Sequence, residues 1–222
     1  MSDRAFQLTT VIVGDPADAW ARAGFVMDGP TTRIGSTTIV CEPTGGPGIL
    51  GVSIDGLAAP VDGLPIGSEP TVAAPLRDTH PNRVTGFDHL VAMSPAVDRT
   101  SMALEAVGLE KRRTREFTVG DETRRQDFFW MGDVILELVG VVATVGVIGG
   151  DGAAPPSGRD LPATFWGLAL ECDDLDAAAE ALGDGLGRIK DAVQTGRRIA
   201  TIRSQELGVS VPIALMSPHV RG

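Results

Sequence analysis

Two polar residues sit at the centres of otherwise apolar runs: His89 in Phe87-Asp88-His89-Leu90-Val91, and Glu137 in Val134-Ile135-Leu136-Glu137-Leu138. An imidazole nitrogen and a carboxylate oxygen suit zinc, nickel, iron or manganese. Without a metal they suit proton transfer or direct contact with a ligand. The plan recurs in residues 164–216, where Gly167 and Ala214 stand in the places of His89 and Glu137. A cleft built from two complete copies would offer four ligands; this chain offers two. The expectation is no ion held jointly by both copies, and no cofactor. Any divalent metal would rest on His89 and Glu137, completed by a donor such as His80 or by a second subunit. The alternative is that the two residues hydrogen-bond each other or a buried water, as buried polar groups must.

Arginines form a second pattern. Arg124-Arg125-Gln126 in one copy echoes Arg197-Arg198-Ile199 in the other. Strand side chains alternate between faces, so one arginine of each pair can face a concave cleft. There it would favour a carboxylate or phosphate. Arg198 is the first choice, with Arg125 and Gln126 next; the alternative is a solvated arginine paired with an acidic neighbour. Phe128-Phe129-Trp130 also alternate. Phe129 is taken as the ring lining the cleft, with packing as the alternative for this run and for Trp166. Ser and Cys lack the spacing of a nucleophile with a base. Gly149-Gly150-Asp151-Gly152 has no following lysine and reads as a linker rather than a phosphate loop.

The elements that would position these residues recur three times in the order β-α-β-β-β. The first unit covers residues 1–57, with strands at 6–13, 25–27, 31–41 and 49–54 and a helix at 17–23. Asp15 suits its N-cap and Pro16 its first turn. Residues 58–83, rich in proline and glycine, read as a linker. The second unit spans 84–142, with a helix near 96–107 opened by Ser94-Pro95, and the third spans 163–218, with a helix after Asp173-Asp174. A second linker lies between these two. Each unit leaves sheet edges and an apolar face uncovered, and side-by-side pairing of the second and third would bury both. The first then lacks a partner. It must dock on residues 84–217 or pair with its copy in a second chain, and the expectation is a homodimer.

The chain has 222 residues and a formal net charge of -10. That balance argues against nucleic acid and anionic membranes as partners. Cys41 and Cys172 lie far apart in apolar runs and read as buried thiols. No apolar h-region follows the polar start, so a cytoplasmic setting is expected.

Phe87 to Val91, the helix before Gly108-Leu109, Val134 to Leu138, Phe165-Trp166-Gly167-Leu168 and Asp174-Leu175-Asp176 together resemble the vicinal oxygen chelate superfamily, the glyoxalase and bleomycin-resistance group. The resemblance covers residues 84–217 well and 4–57 weakly. It implies an α+β fold in which two βαβββ modules form one cup-shaped mixed sheet, with an additional N-terminal βαβββ half-module. It also implies ligands from the first and last strands of each module, which His89 and Glu137 match and Gly167 and Ala214 do not. Members include metal-dependent lyases, isomerases and dioxygenases, and metal-free proteins that sequester antibiotics. The reading that follows is a glyoxalase-like protein binding a small anionic or aromatic molecule without a complete metal site, through His89, Glu137, Arg198, Arg125, Gln126 and Phe129. The alternatives are an atypical metal enzyme and a structural dimerisation module.

Overall fold

The computed structural model describes residues 6–67, 79–144 and 160–218. Residues 84–217 form one curled mixed sheet of eight strands. Four come from the second unit: β6 (Val84–Ser94), β7 (Lys111–Val119), β8 (Glu122–Met131) and β9 (Val134–Thr144). Four come from the third: β10 (Thr164–Cys172), β11 (Lys190–Asp191), β12 (Arg198–Thr201) and β13 (Ile213–Met216). The order is β11-β12-β13-β10-β6-β9-β8-β7, so the modules join through the antiparallel pair β6–β10. In each module the first strand runs parallel to the last.

Helices α2 (Val97–Ala106) and α3 (Leu175–Leu182) cover one side of this sheet. Ser94 Oγ accepts from the Ala96 backbone ahead of α2, and the Asp174 side chain accepts from Asp176 and Ala177 to cap α3. Leu90, Leu136, Leu138, Leu168 and Leu170 are buried on the helix side. The opposite, concave side carries the exposed Met93, Trp130 and Trp166.

The N-terminal unit follows the expected element order, but its strands and their pairing differ from the sequence expectation. They are β1 (Gln7–Val13), β2 (Thr31–Ile34), β3 (Thr37–Cys41) and β4 (Ile49–Asp55), with helix α1 (Ala17–Arg22) after β1. Residues 25–27 are not a strand: the Val26 amide donates to His80 Nδ1, and its carbonyl accepts from Thr32 Oγ1. The strand expected at 31–41 is a hairpin that turns at Gly35, whose φ of 57° suits glycine. β5 (Ile66–Gly67) pairs parallel with β4. The resulting order β2-β3-β1-β4-β5 matches β8-β9-β6-β10-β13 of the large sheet in every pairing direction. The small sheet is therefore laid out as an abridged pair of modules.

Residues 58–67 do not behave as the start of an open linker. Besides supplying β5, they bury Val61, Leu64 and Ile66, and Asp62 accepts from Arg99 Nε at 2.7 Å. The expected Asp15 cap has another role. The Asp15 carboxylate accepts from Trp20 Nε1, the Ser210 amide and Ser210 Oγ, which ties α1 to the third unit. Apolar side chains of both sheets merge into one core on the helix side. The N-terminal unit thus docks on its own chain, and the argument for a homodimer from its unmet edge loses its basis. Among the described residues no helix is long and apolar enough to cross a membrane.

Candidate functional site

Register assigns each side chain to a face. In the antiparallel pairs Phe128↔Glu137 and Trp130↔Ile135, and in the parallel pairs His89↔Ile135 and Val91↔Glu137, opposed residues share a side. That side is the concave one. His89 and Glu137 therefore sit on the cup floor, on adjacent strands, with His89 Nε2 3.1 Å from Glu137 Oε2.

β6 carries a bulge at Asp88. His89 opposes Ala169 and Phe87 opposes Leu170, which leaves Asp88 between them unpaired in the ladder. The bulge brings Asp88 to the same cluster as His89 instead of the opposite face. Its Oδ1 lies 2.7 Å from His89 Nδ1 and its Oδ2 2.5 Å from Arg197 Nη2. Arg197 is fully buried and also donates to the Ser217 carbonyl and Gln194 Oε1. On the other flank, Gln126 Nε2 donates to Glu137 Oε1 at 2.5 Å, and Arg115 Nη1 donates to Gln126 Oε1 at 3.4 Å. A continuous polar chain results: Arg197–Asp88–His89–Glu137–Gln126–Arg115. Burial alone would push the Asp88 carboxyl up. The hydrogen bonds from His89 and Arg197 outweigh it and hold Asp88 below the usual carboxylate range. An ionised Asp88 accepts from His89 Nδ1 and orients the ring so that Nε2 faces Glu137.

The structure brings together His89, Glu137 and Gln126 of the six residues expected from sequence, and separates the other three. Arg125 lies on the helix side and pairs with Asp98 of α2. Phe129 is fully buried on that side, so Phe128 is the ring that faces the cup. Arg198 is exposed and pairs with Asp176 of α3, 2.9 Å away, while Arg197 takes the inward position. Each error is one of strand parity. Asp88 was missed for the same reason, since strict alternation sends it away from His89. His80 is remote from the cup: its Nδ1 accepts from the Val26 amide and its Nε2 donates to the Arg33 carbonyl.

The cross-strand register also tests the repeat. His89 opposes Ala169 and Gly167 opposes Val91, so the two-fold relation between modules maps His89 onto Gly167. Glu137 lies beside Val91 and Ala214 beside Ala169, which maps Glu137 onto Ala214. Both nitrogens of His89 and both oxygens of Glu137 already face protein partners. Among the described residues no group of three His, Cys, Asp or Glu is arranged to hold an ion. The residues present do not fit a four-donor metal site.

The remaining cup wall is aromatic and cationic. Trp130, 41% exposed, and Trp166, 51% exposed, flank the pair. Trp166 is the bulge residue of β10, the two-fold counterpart of Asp88. A depression of about 300 Å³ at the β12–β13 rim is lined by Thr201, Arg203, Gln205, Ser210 and Pro212 among others, and contains none of the expected site residues.

No protein-family profile matches the sequence, and no curated protein matches it. Solved structures do. A 4-hydroxymandelate synthase from Streptomyces coelicolor, a triple mutant, is similar over 97% of this chain and 94% of its own, with TM-score 0.60 and 13% identity. A xylose isomerase-like TIM barrel/4-hydroxyphenylpyruvate dioxygenase fusion protein is similar over 97% of this chain and 49% of its own, also with TM-score 0.60 and 13% identity. At such identity the likeness establishes the fold. The chain has the vicinal oxygen chelate fold, with a curled sheet of paired modules and a second, smaller sheet.

Proposed function

We propose that this chain, with its vicinal oxygen chelate fold, binds a small anionic or aromatic organic molecule on the concave face of its large sheet, without metal chemistry. The polar centre of the molecule meets His89 and Glu137, and its apolar part lies on Phe128, Trp130 and Trp166. The observation that carries this reading is the His89–Glu137 pair on the cup floor, held from behind by Asp88 and Arg197 and bordered by exposed rings. A hydrogen-bonded polar centre in an aromatic surround is how small-molecule sites fix orientation. His89 and Glu137 are also placed to give and take a proton at that centre.

Two measurements test the proposal. Thermal shifts across a panel of small carboxylates and aromatic compounds should show stabilisation by some of them, lost in His89→Ala and Glu137→Ala. Metal analysis of tag-free protein should find no stoichiometric transition metal. A bound metal lost in both variants would overturn the metal-free reading.

A further inference from the structure

We propose that Arg113 and Arg115 form an anion-holding subsite of the cup and take the carboxylate of a ligand whose polar centre meets His89 and Glu137. The inference rests on the binding reading above and names the ligand class. Arg113 opposes Phe128, and Arg115 opposes Gln126, so both arginines lie on the cup face of β7. Each guanidinium lies over a ring, Arg113 5.9 Å from the centroid of Phe128 and Arg115 5.3 Å from that of Phe117. Stacking of this kind holds the cation in place and leaves its N–H edges open to an anion.

Neither arginine has a carboxylate partner among the described residues, whereas the other arginines of β7 and β8 do. The chain has 29 Asp and Glu against 19 Lys and Arg. Nearby arginines are matched: Arg112 with Glu110, Arg124 with Glu122 and Arg125 with Asp98. Acidic side chains are abundant, yet the two cations beside the aromatic wall are left for something else. Residues two apart on a strand are about 7 Å apart, so one carboxylate can reach both guanidinium forks. β7 lies two strands from β9, which places the subsite about 10 Å from Glu137. The ligand class is therefore a carboxylate separated by a ring or short chain from a second polar centre. Arg115 also donates to Gln126, which donates to Glu137, so the anion site and the floor pair share one hydrogen-bond chain.

The test titrates the full chain with 3-(4-hydroxyphenyl)propanoate, 3-(4-hydroxyphenyl)propanamide and inorganic phosphate, followed by calorimetry. The carboxylate should bind about tenfold or more tightly than its neutral amide, as a charge-assisted contact requires. In the Arg113→Gln/Arg115→Gln double variant the two affinities should become equal while that of the amide stays unchanged. Arg198→Gln, which alters an arginine on the helix side, should leave the preference intact. Equal binding of carboxylate and amide by the unaltered protein, or a preference that survives the double variant, overturns the subsite and leaves the cup reading standing. Phosphate binding as tight as the carboxylate overturns the carboxylate assignment. Failure of both ring compounds to bind at millimolar concentration, with no response in the wider panel, removes the cup reading and the subsite together.

Discussion

Arg197 and Arg198 are adjacent in sequence and opposite in role. The Arg197 side chain is 1% exposed and holds the buried carboxylate of Asp88, whereas Arg198 pairs with Asp176 in solvent. Breaking a buried pair leaves an uncompensated charge. Arg197→Ala should therefore cost about 3–5 kcal/mol of stability, while Arg198→Ala should leave the denaturation midpoint within error. Denaturant titration of both variants checks the contrast, and equal losses would show that Asp88 finds compensation elsewhere. The cysteines offer a second test. Burial pushes the thiol of Cys41 up to about 12 and that of Cys172 up to about 11. The thiolate is the reactive form. Neither cysteine should react with a disulfide reagent in native protein near neutral pH, and both should react on unfolding. Labelling of native protein at the rate of a free thiol would contradict this.

The strands β6 and β10 owe their contents to two bulges related by the internal two-fold. One presents Asp88 beside His89, and the other presents Trp166 beside Gly167. The first module thus carries the polar centre of the cup together with Phe128 and Trp130, and the second adds Trp166. Gly167 is also fixed by space: a Cβ there would stand 2.9 Å from the Pro212 carbonyl oxygen, which is backbone and receives the Leu168 amide. Gly167→Ala should destabilise by about 1–3 kcal/mol, as overpacking does. For the same reason Gly167→His combined with Ala214→Glu should not produce a tight metal site. Nickel or zinc titration by calorimetry would show it, and submicromolar binding by that variant would mean that the β10–β13 ladder yields more easily than its geometry suggests.

The molecule as a whole is held by a core shared between its two sheets. Removing residues 1–67 should therefore expose apolar surface on the helix side and give aggregated protein, not a folded remainder; sedimentation of the truncated chain decides the matter. His80 lies at the junction, buried, and bonds to Val26 and Arg33 of the N-terminal unit. Burial holds its imidazole below the ordinary value of 6.5, outweighing the pull of the Arg33 carbonyl. A folded-state value below the unfolded one means that the unfolded chain takes up the proton first as pH falls. The His80 contribution is then complete above 6.5 and declines as pH drops below it. Stability measured between about pH 7.5 and pH 5.5 should fall in the unaltered protein and fall less in His80→Gln. Parallel profiles would place the acid sensitivity elsewhere.

Periodicity and repeat spacing, with the family resemblance they carry, made legible the α+β class, the paired modules, their helices and the strands that hold His89 and Glu137. Those features depend on local propensity and on burial patterns that recur along the chain. The equivalence of Gly167 and Ala214 with them was also legible, because the repeat aligns residue against residue. Parity was not. A single extra residue in a strand reverses which side chains face the cup, and bulges leave no local mark in sequence. Asp88 and Arg197 were accordingly missed, and Arg125, Phe129 and Arg198 were assigned to the wrong side. The docking of the N-terminal unit depended on contacts between residues far apart in sequence, such as Asp15 with Ser210 and His80 with Val26. Only the tertiary structure decided these, because long-range pairing is chosen by the total core that can be buried and not by any one segment.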